Sequence, residues 1–172
     1  MSRVERTRRI NEGVHKWLSD QSHCIFVREI GVDTALVSQE VFSGRLDFLA
    51  WKHRLDLGED NESGLWERFI GIEVKSCAAD YQSDKKWSHY LKFCHQFYFA
   101  VDRKFPIDLI DRSTGAGILL IEHQGQEFGW YKARIIRRAK LRIELGANIS
   151  RDRLIFLIAR RLFHLNERQE KQ

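Results

Sequence analysis

A single proline, Pro106, and only eleven glycines leave no room for a collagenous or linker-dominated chain. The cysteines, Cys24, Cys77 and Cys94, are odd in number and form no CxxC pair. Neither a disulfide framework nor a zinc ribbon is therefore indicated, and a reducing cytoplasm fits such usage. Long hydrophobic runs are missing too. The longest, Leu154 to Ala159, falls far short of the roughly 20 apolar residues that cross a bilayer, so no membrane partner is expected. Met1 to Ile10 carries four arginines with no apolar run behind them, which does not read as a secretory signal. The histidines show no HExxH spacing. Cys24 with His23, and Cys94 with His95, would bind zinc only if they met in space; scattered side chains are the simpler expectation.

What the chain does have is 172 residues, enough for one domain spanning 1–172 with its own core. It also has a net charge of +5 and a pI near 9.2. A basic balance suits a polyanionic partner, DNA above all, although it also serves plain solubility.

Apolar periodicity sketches the elements. Ile10, Val14, Trp17 and Leu18 share one face of an opening helix, which Ser19–Ser22 breaks. Cys24–Ile30 and Ala35–Phe42 read as strands paired through a Gly31–Thr34 turn. Arg45–Trp51 (RLDFLAW) and Arg68–Lys75 (RFIGIEVK) read as antiparallel neighbours joined by a long loop, His53–Glu67. A second helix is expected from Ser83 to Cys94, with Trp87, Tyr90, Leu91 and Cys94 on one face and Asp80 or Ser83 as its cap. Gln96–Val101, Gly117–His123 and Phe128–Arg137 follow as strands. Ser150 caps a last helix at about 150–166 that is apolar almost all round and therefore buried or at an interface, a possible homodimer contact. The order predicts an α/β fold with a central mixed β-sheet flanked by helices.

One constellation carries chemistry. Residues two apart on a strand point the same way, so Glu73 and Lys75 project together, as do Arg45 and Asp47 on the neighbouring strand. If the two strands pair, Asp47 lies beside Glu73. Two adjacent carboxylates repel, and a hard divalent cation relieves them; magnesium is typically held by one or two carboxylates plus waters and phosphate oxygens. Lys75 would either orient or deprotonate an attacking water, or stabilise transition-state charge.

An acid on one strand, (D/E)xK on the next, then a helix and a strand resemble the PD-(D/E)XK nuclease superfamily. Arg45 and Asp47, Ile72–Ser76 (IEVKS), the SxxxDxxxDxKWxxY stretch from Ser76 to Tyr90, Gln96–Val101 (QFYFAV) and Phe105-Pro106 together resemble the MmcB-like proteins, bacterial proteins regarded as DNA-repair endonucleases. The similarity spans about Arg45 to Gln124. It implies a restriction-endonuclease-like core in αβββαβ order. It also implies phosphodiester cleavage with Mg²⁺ or Mn²⁺ on Asp47 and Glu73 and Lys75 as the catalytic base. The long His53–Glu67 loop departs from the family pattern.

Other residues have two readings each. Asp80 caps a helix or supports Lys75. Asp84 answers the helix dipole or joins the site. Lys85 and Lys86 contact phosphate or are solvated, and Trp87 and Tyr90 read as core. Glu12 is a distant candidate for an extra metal ligand; Glu29 and Glu40 are weaker. Lys132, Arg134, Arg137, Arg138, Lys140 and Arg142 form the best phosphate-backbone candidates or a solvated basic face. The competing functions are a non-catalytic nucleic-acid-binding module of the same fold and an interaction subunit docking through its last helix.

Overall fold

The computed structural model describes residues 1–33, 43–56, 64–124, 130–145 and 149–169. The chain runs α1 (Arg3–Ser19), β1 (Cys24–Asp33), β2 (Ser43–Asp56), β3 (Gly64–Val74), α2 (Ala78–Ser83), α3 (Trp87–Tyr90), β4 (Gln96–Asp102), β5 (Gly117–Gln124), β6 (Trp130–Arg137) and α4 (Arg151–Gln169). The six strands lie in one sheet in sequence order. β1, β2 and β3 pair antiparallel, β3, β4 and β5 parallel, and β6 returns antiparallel to β5. This is the mixed sheet with flanking helices that the pattern predicts, consistent with a restriction-endonuclease-like core.

Two apolar cores sandwich the sheet. α1 begins where the Ser2 side chain accepts the Glu5 N–H, and it sends Ile10, Val14 and Leu18 onto Phe48, Ala50, Ile72, Ala100 and Ile121. Gly13 sets how close α1 comes: a Cβ there would lie 2.2 Å from Ile121 Cγ2. The opposite face carries Leu49, Phe69, Phe97, Phe99 and Leu120, covered by Tyr90, Phe93 and α4 residues Leu154 and Ile158. Ser150 caps α4 as expected, its Oγ accepting the Arg153 N–H at 3.2 Å. On the far side of α4, Phe156 and Phe163 are exposed, so the helix buries one face rather than its whole girth. Among the described residues no helix is long and apolar enough to cross a membrane.

Three expectations need correction. β1 runs on through Gly31 to Asp33 and pairs with β2, from Cys24↔Lys52 to Asp33↔Ser43; the proposed partner Ala35–Phe42 lies outside the described residues. The long loop His53–Glu67 is mostly ladder, since Asp56 pairs with Gly64; backbone groups make that ladder, so polar sequence does not prevent it. The single helix expected over Ser83–Cys94 is not formed: α2 ends at Ser83, and α3 and a 3₁₀ turn at Leu91–Phe93 follow only from Trp87. Asp84 causes the break. Its backbone is extended (ψ 109°), and its carboxylate accepts the Lys86 N–H at 2.8 Å.

Candidate active site

The β2–β3 register, Phe48↔Ile72, carried one step further sets Asp47 opposite Glu73. There the backbone ladder hands over to a side chain: Asp47 Oδ2 accepts the Val74 N–H at 2.8 Å. On the other side of β3, the Lys75 N–H donates to the Ala100 carbonyl at 2.9 Å, which fixes the strand end that carries Glu73 and Lys75. The β1–β2 ladder is irregular at the same level. Val27 and Ile30, three residues apart, enter the same core, as do Leu46 and Leu49. Between them Glu29 adopts a left-handed φ of 50° opposite Asp47. Breaks of strand alternation beside active sites re-aim side chains, and here the break falls on the first acid of the pair.

Glu73 and Lys75 are both buried. Lys75 Nζ donates to Glu73 Oε1 at 3.2 Å and to Asp84 Oδ2 at 2.6 Å. Glu73 Oε2 is buried with no hydrogen-bond partner among the described residues. Burial, then the Asp47 charge, push the Glu73 carboxyl up to about 8 against the pull of Lys75. Burial also raises Asp47, despite the Val74 N–H and Lys75. Burial alone would lower the Lys75 ammonium, but Glu73 and Asp84 outweigh it and raise it. Asp84 is the reverse case: burial would raise it, and the bonds to Lys75 and the Lys86 N–H bring it below the ordinary value.

A buried carboxylate oxygen without a donor, beside a second half-buried carboxylate, is an electron-rich niche that a small hard cation fits. Among the described residues no group of three or more His, Cys, Asp or Glu is arranged to hold a metal. The donors of this site are thus two carboxylates, a set that magnesium accepts when water and phosphate oxygens complete its shell.

The remaining candidates sort by position. Arg45 is exposed; its carbonyl accepts the Tyr90 hydroxyl at 3.2 Å and its charge acts on Asp47. Asp80 sits in the first turn of α2, accepts the Ser76 N–H at 3.3 Å and pairs with Arg3 at 2.8 Å, so it is tied to the helix start, while its charge still helps to raise Lys75. Lys85 and Lys86 are exposed beside Asp84. Glu12 is a correction: it lies on α1, on the other side of the sheet, held by Arg8 at 2.7 Å and by the Tyr131 hydroxyl. Glu29 is exposed and faces Arg161, and Glu40 lies outside the described residues. Cys94 and His95 do not form a zinc pair: the thiol is wholly buried, and His95 Nδ1 accepts the Phe69 N–H at 2.9 Å.

The basic segment is split. Lys132 and Arg134 pair with Glu122 and Leu120, which places them on the sheet face that carries Glu73, three strands across (about 14 Å of sheet) and further along the strand direction. Arg138 and Lys140 are exposed, and Arg142 is half-buried, its backbone N–H bonded to the His95 carbonyl. Arg137 is held at the sheet, with Nε and Nη2 buried and without a partner among the described residues. It is half-buried, donates to the Ile110 carbonyl at 2.8 Å, and burial lowers its pKa.

Two features escaped the sequence reading. Tyr90 is core, as expected of its ring, but its hydroxyl is pushed up to about 12 by burial and by Glu73, Asp84 and Asp47, so it borders the carboxylates. Glu122 is a buried charge held by Arg103 at 2.6 Å and by Arg134 at 3.5 Å. Its signal was an acid inside the apolar run GILLIEH.

Comparison with known proteins bears on this arrangement. A family model described as "DNA repair protein MmcB-like" matches residues 45–164, which include every residue of the cluster. No curated protein matches the chain. A solved structure, the SPO1766 protein of unknown function from Silicibacter pomeroyi, is similar with a TM-score of 0.61 and 25% identity. It covers 95% of this chain and 88% of its own.

Proposed function

The chain belongs to the MmcB-like family of DNA repair proteins, and from that premise we propose that it is a metal-dependent nuclease of the PD-(D/E)XK class that hydrolyses DNA phosphodiester bonds in repair. The observation that carries this reading is the adjoining pair of carboxylates, half-buried Asp47 and buried Glu73. One Glu73 oxygen lacks a donor among the described residues, and both carboxyls are raised by burial. Such a pair is unfavourable in the folded protein unless a proton or a cation joins it. Asp47 and Glu73 would hold Mg²⁺ or Mn²⁺. The chemistry such a cation supplies when bound is Lewis acidity, which activates water near neutral pH and offsets charge on the phosphate.

The other residues position and donate. Asp84 accepts from Lys75 and so aims its ammonium across the Glu73 carboxylate. Lys75, between two carboxylates, is a cationic donor in this arrangement. It acts by hydrogen-bonding the phosphate oxygen that gains charge, whereas the resemblance alone implied a base. The Tyr90 hydroxyl bonds the Arg45 carbonyl and steadies the β2 end that presents Asp47. Lys132 and Arg134, on the same sheet face, attract the DNA backbone without reading sequence.

Calorimetric titration of Mn²⁺ into wild type, Asp47→Asn and Glu73→Gln, with DNA present, tests the assignment. Binding lost in both variants supports it. Unchanged affinity in Asp47→Asn moves the metal elsewhere and overturns it. DNA binding insensitive to EDTA, with no cleavage of any substrate, would instead make the chain a nucleic-acid-binding module.

A further inference from the structure

The parallel strands β3, β4 and β5 end at one edge of the sheet, where ligands of open α/β sheets commonly sit. Asp47 and Glu73 occupy part of that edge. Past β4, on the side of α1, a separate cavity of about 400 Å³ opens, lined among others by Arg6, Arg9, Arg103, Lys104, His123 and Tyr131. It begins close to the cluster: Asp102 in its wall lies two residues beyond Ala100, whose carbonyl holds Lys75.

Its charge is lopsided. The lining has four cations, Arg6, Arg9, Arg103 and Lys104, and two carboxylates, Asp102 and Glu122. Both acids are already satisfied. Arg6 grips Asp102 through two bonds, at 2.8 and 2.6 Å, and Glu122 is shared by Arg103 and Arg134. Among the described residues Arg9 pairs only with Glu5, which Arg8 also holds at 3.0 Å. The Lys104 ammonium has no acidic partner among the described residues, while its backbone N–H is pinned to Asp102 at 2.9 Å. The pocket thus offers an unneutralised ammonium and the exposed Arg103, whose side chain is 73% exposed. Beside them His123 meets Tyr131 edge-on at 5.3 Å, and His123 is exposed. An anion site with an adjoining aromatic wall matches a phosphate joined to a flat ring.

We propose that this cavity is a subsite for the phosphate-bearing terminal nucleotide of a DNA strand. Its phosphate lies against Lys104 and Arg103 and its base against His123. The strand then leads over the end of β4 toward Asp47 and Glu73. The inference rests on the nuclease reading for its strand path, but the subsite itself needs neither metal nor cleavage.

The test is fluorescence anisotropy in EDTA with labelled thymidine pentanucleotides carrying a 5′-phosphate, a 3′-phosphate or only hydroxyl ends. One phosphorylated probe is expected to bind wild type about tenfold more tightly than the hydroxyl probe, the scale of added hydrogen bonds to a charged group. Lys104→Ala/His123→Ala, both exposed positions, should erase that preference with an unchanged melting temperature. Asp47→Asn should keep it, so cleavage can fail without touching the subsite. Equal binding of all three probes overturns the proposal. So does a preference that survives Lys104→Ala/His123→Ala, or displacement by inorganic phosphate at the same concentration as by the phosphorylated probe.

Discussion

Replacing Glu73 by glutamine should make the metal-free protein more stable, and the gain should grow with pH. Wild-type Glu73 is pushed from an ordinary 4.5 up to about 8. Between those values the folded protein holds a proton that the unfolded chain releases. Stability from this group is therefore fully present below about 4.5 and is lost as pH rises toward about 8. Each pH unit inside the window removes about 1.4 kcal/mol. For a chain of this length that is a fall of about 3–6 °C in Tm per unit. Glutamine has no proton to release, so its curve lacks this slope. Groups remote from Glu73 are common to both proteins and largely cancel in the difference. Melting curves in EDTA at pH 5.5, 6.5 and 7.5 read the effect directly. The wild-type minus Glu73→Gln difference should widen steadily, and Mn²⁺ should close it by replacing the proton in wild type only. Parallel Tm–pH lines for the two proteins would show that Glu73 is not the strained acid described above.

Other perturbations separate scaffold from site. Gly13→Ala adds a methyl at 2.2 Å from Ile121 Cγ2 and should cost about 1–3 kcal/mol in urea unfolding; a neutral effect would mean that α1 is not seated so tightly. Asp84→Asn removes the charged partner of Lys75 and should lower cleavage about 10- to 100-fold at unchanged Mn²⁺ affinity, whereas wild-type rates would deny Asp84 its positioning role. Lys132→Ala combined with Arg134→Ala should weaken binding to every DNA sequence alike and reduce the salt slope by about 1 for each phosphate that is no longer neutralised; an unchanged slope would place the DNA elsewhere.

Much of the site was legible because strands have a period of two. The spacing in RFIGIEVK put Glu73 and Lys75 on one side, and the hairpin register then set Asp47 opposite Glu73. What periodicity cannot carry is its own interruption. The left-handed Glu29 and the doubled core positions of β1 and β2 leave no mark in hydrophobic spacing. The helix from Ser83 to Cys94 looked continuous because Trp87, Tyr90, Leu91 and Cys94 keep helical spacing. Asp84 breaks it through side-chain bonds to Lys75 and Lys86, and Lys75 is remote in sequence. Arg6 with Asp102, and Arg103 with Glu122, were invisible for the same reason: each pair joins segments whose proximity only the fold creates. The polar ladder up to Asp56↔Gly64 was missed because backbone pairing writes no pattern into side chains.

The nuclease assignment itself is tested most directly by single-turnover cleavage of single-stranded, nicked, branched and duplex DNA with Mg²⁺ or Mn²⁺, comparing wild type with Asp47→Asn and Lys75→Ala. The expected result is metal-dependent cleavage of at least one substrate by wild type, abolished by EDTA and reduced by orders of magnitude in both variants. Cleavage that persists at the wild-type rate in Asp47→Asn and Lys75→Ala, or its absence from wild type on every substrate despite tight DNA binding, would contradict it.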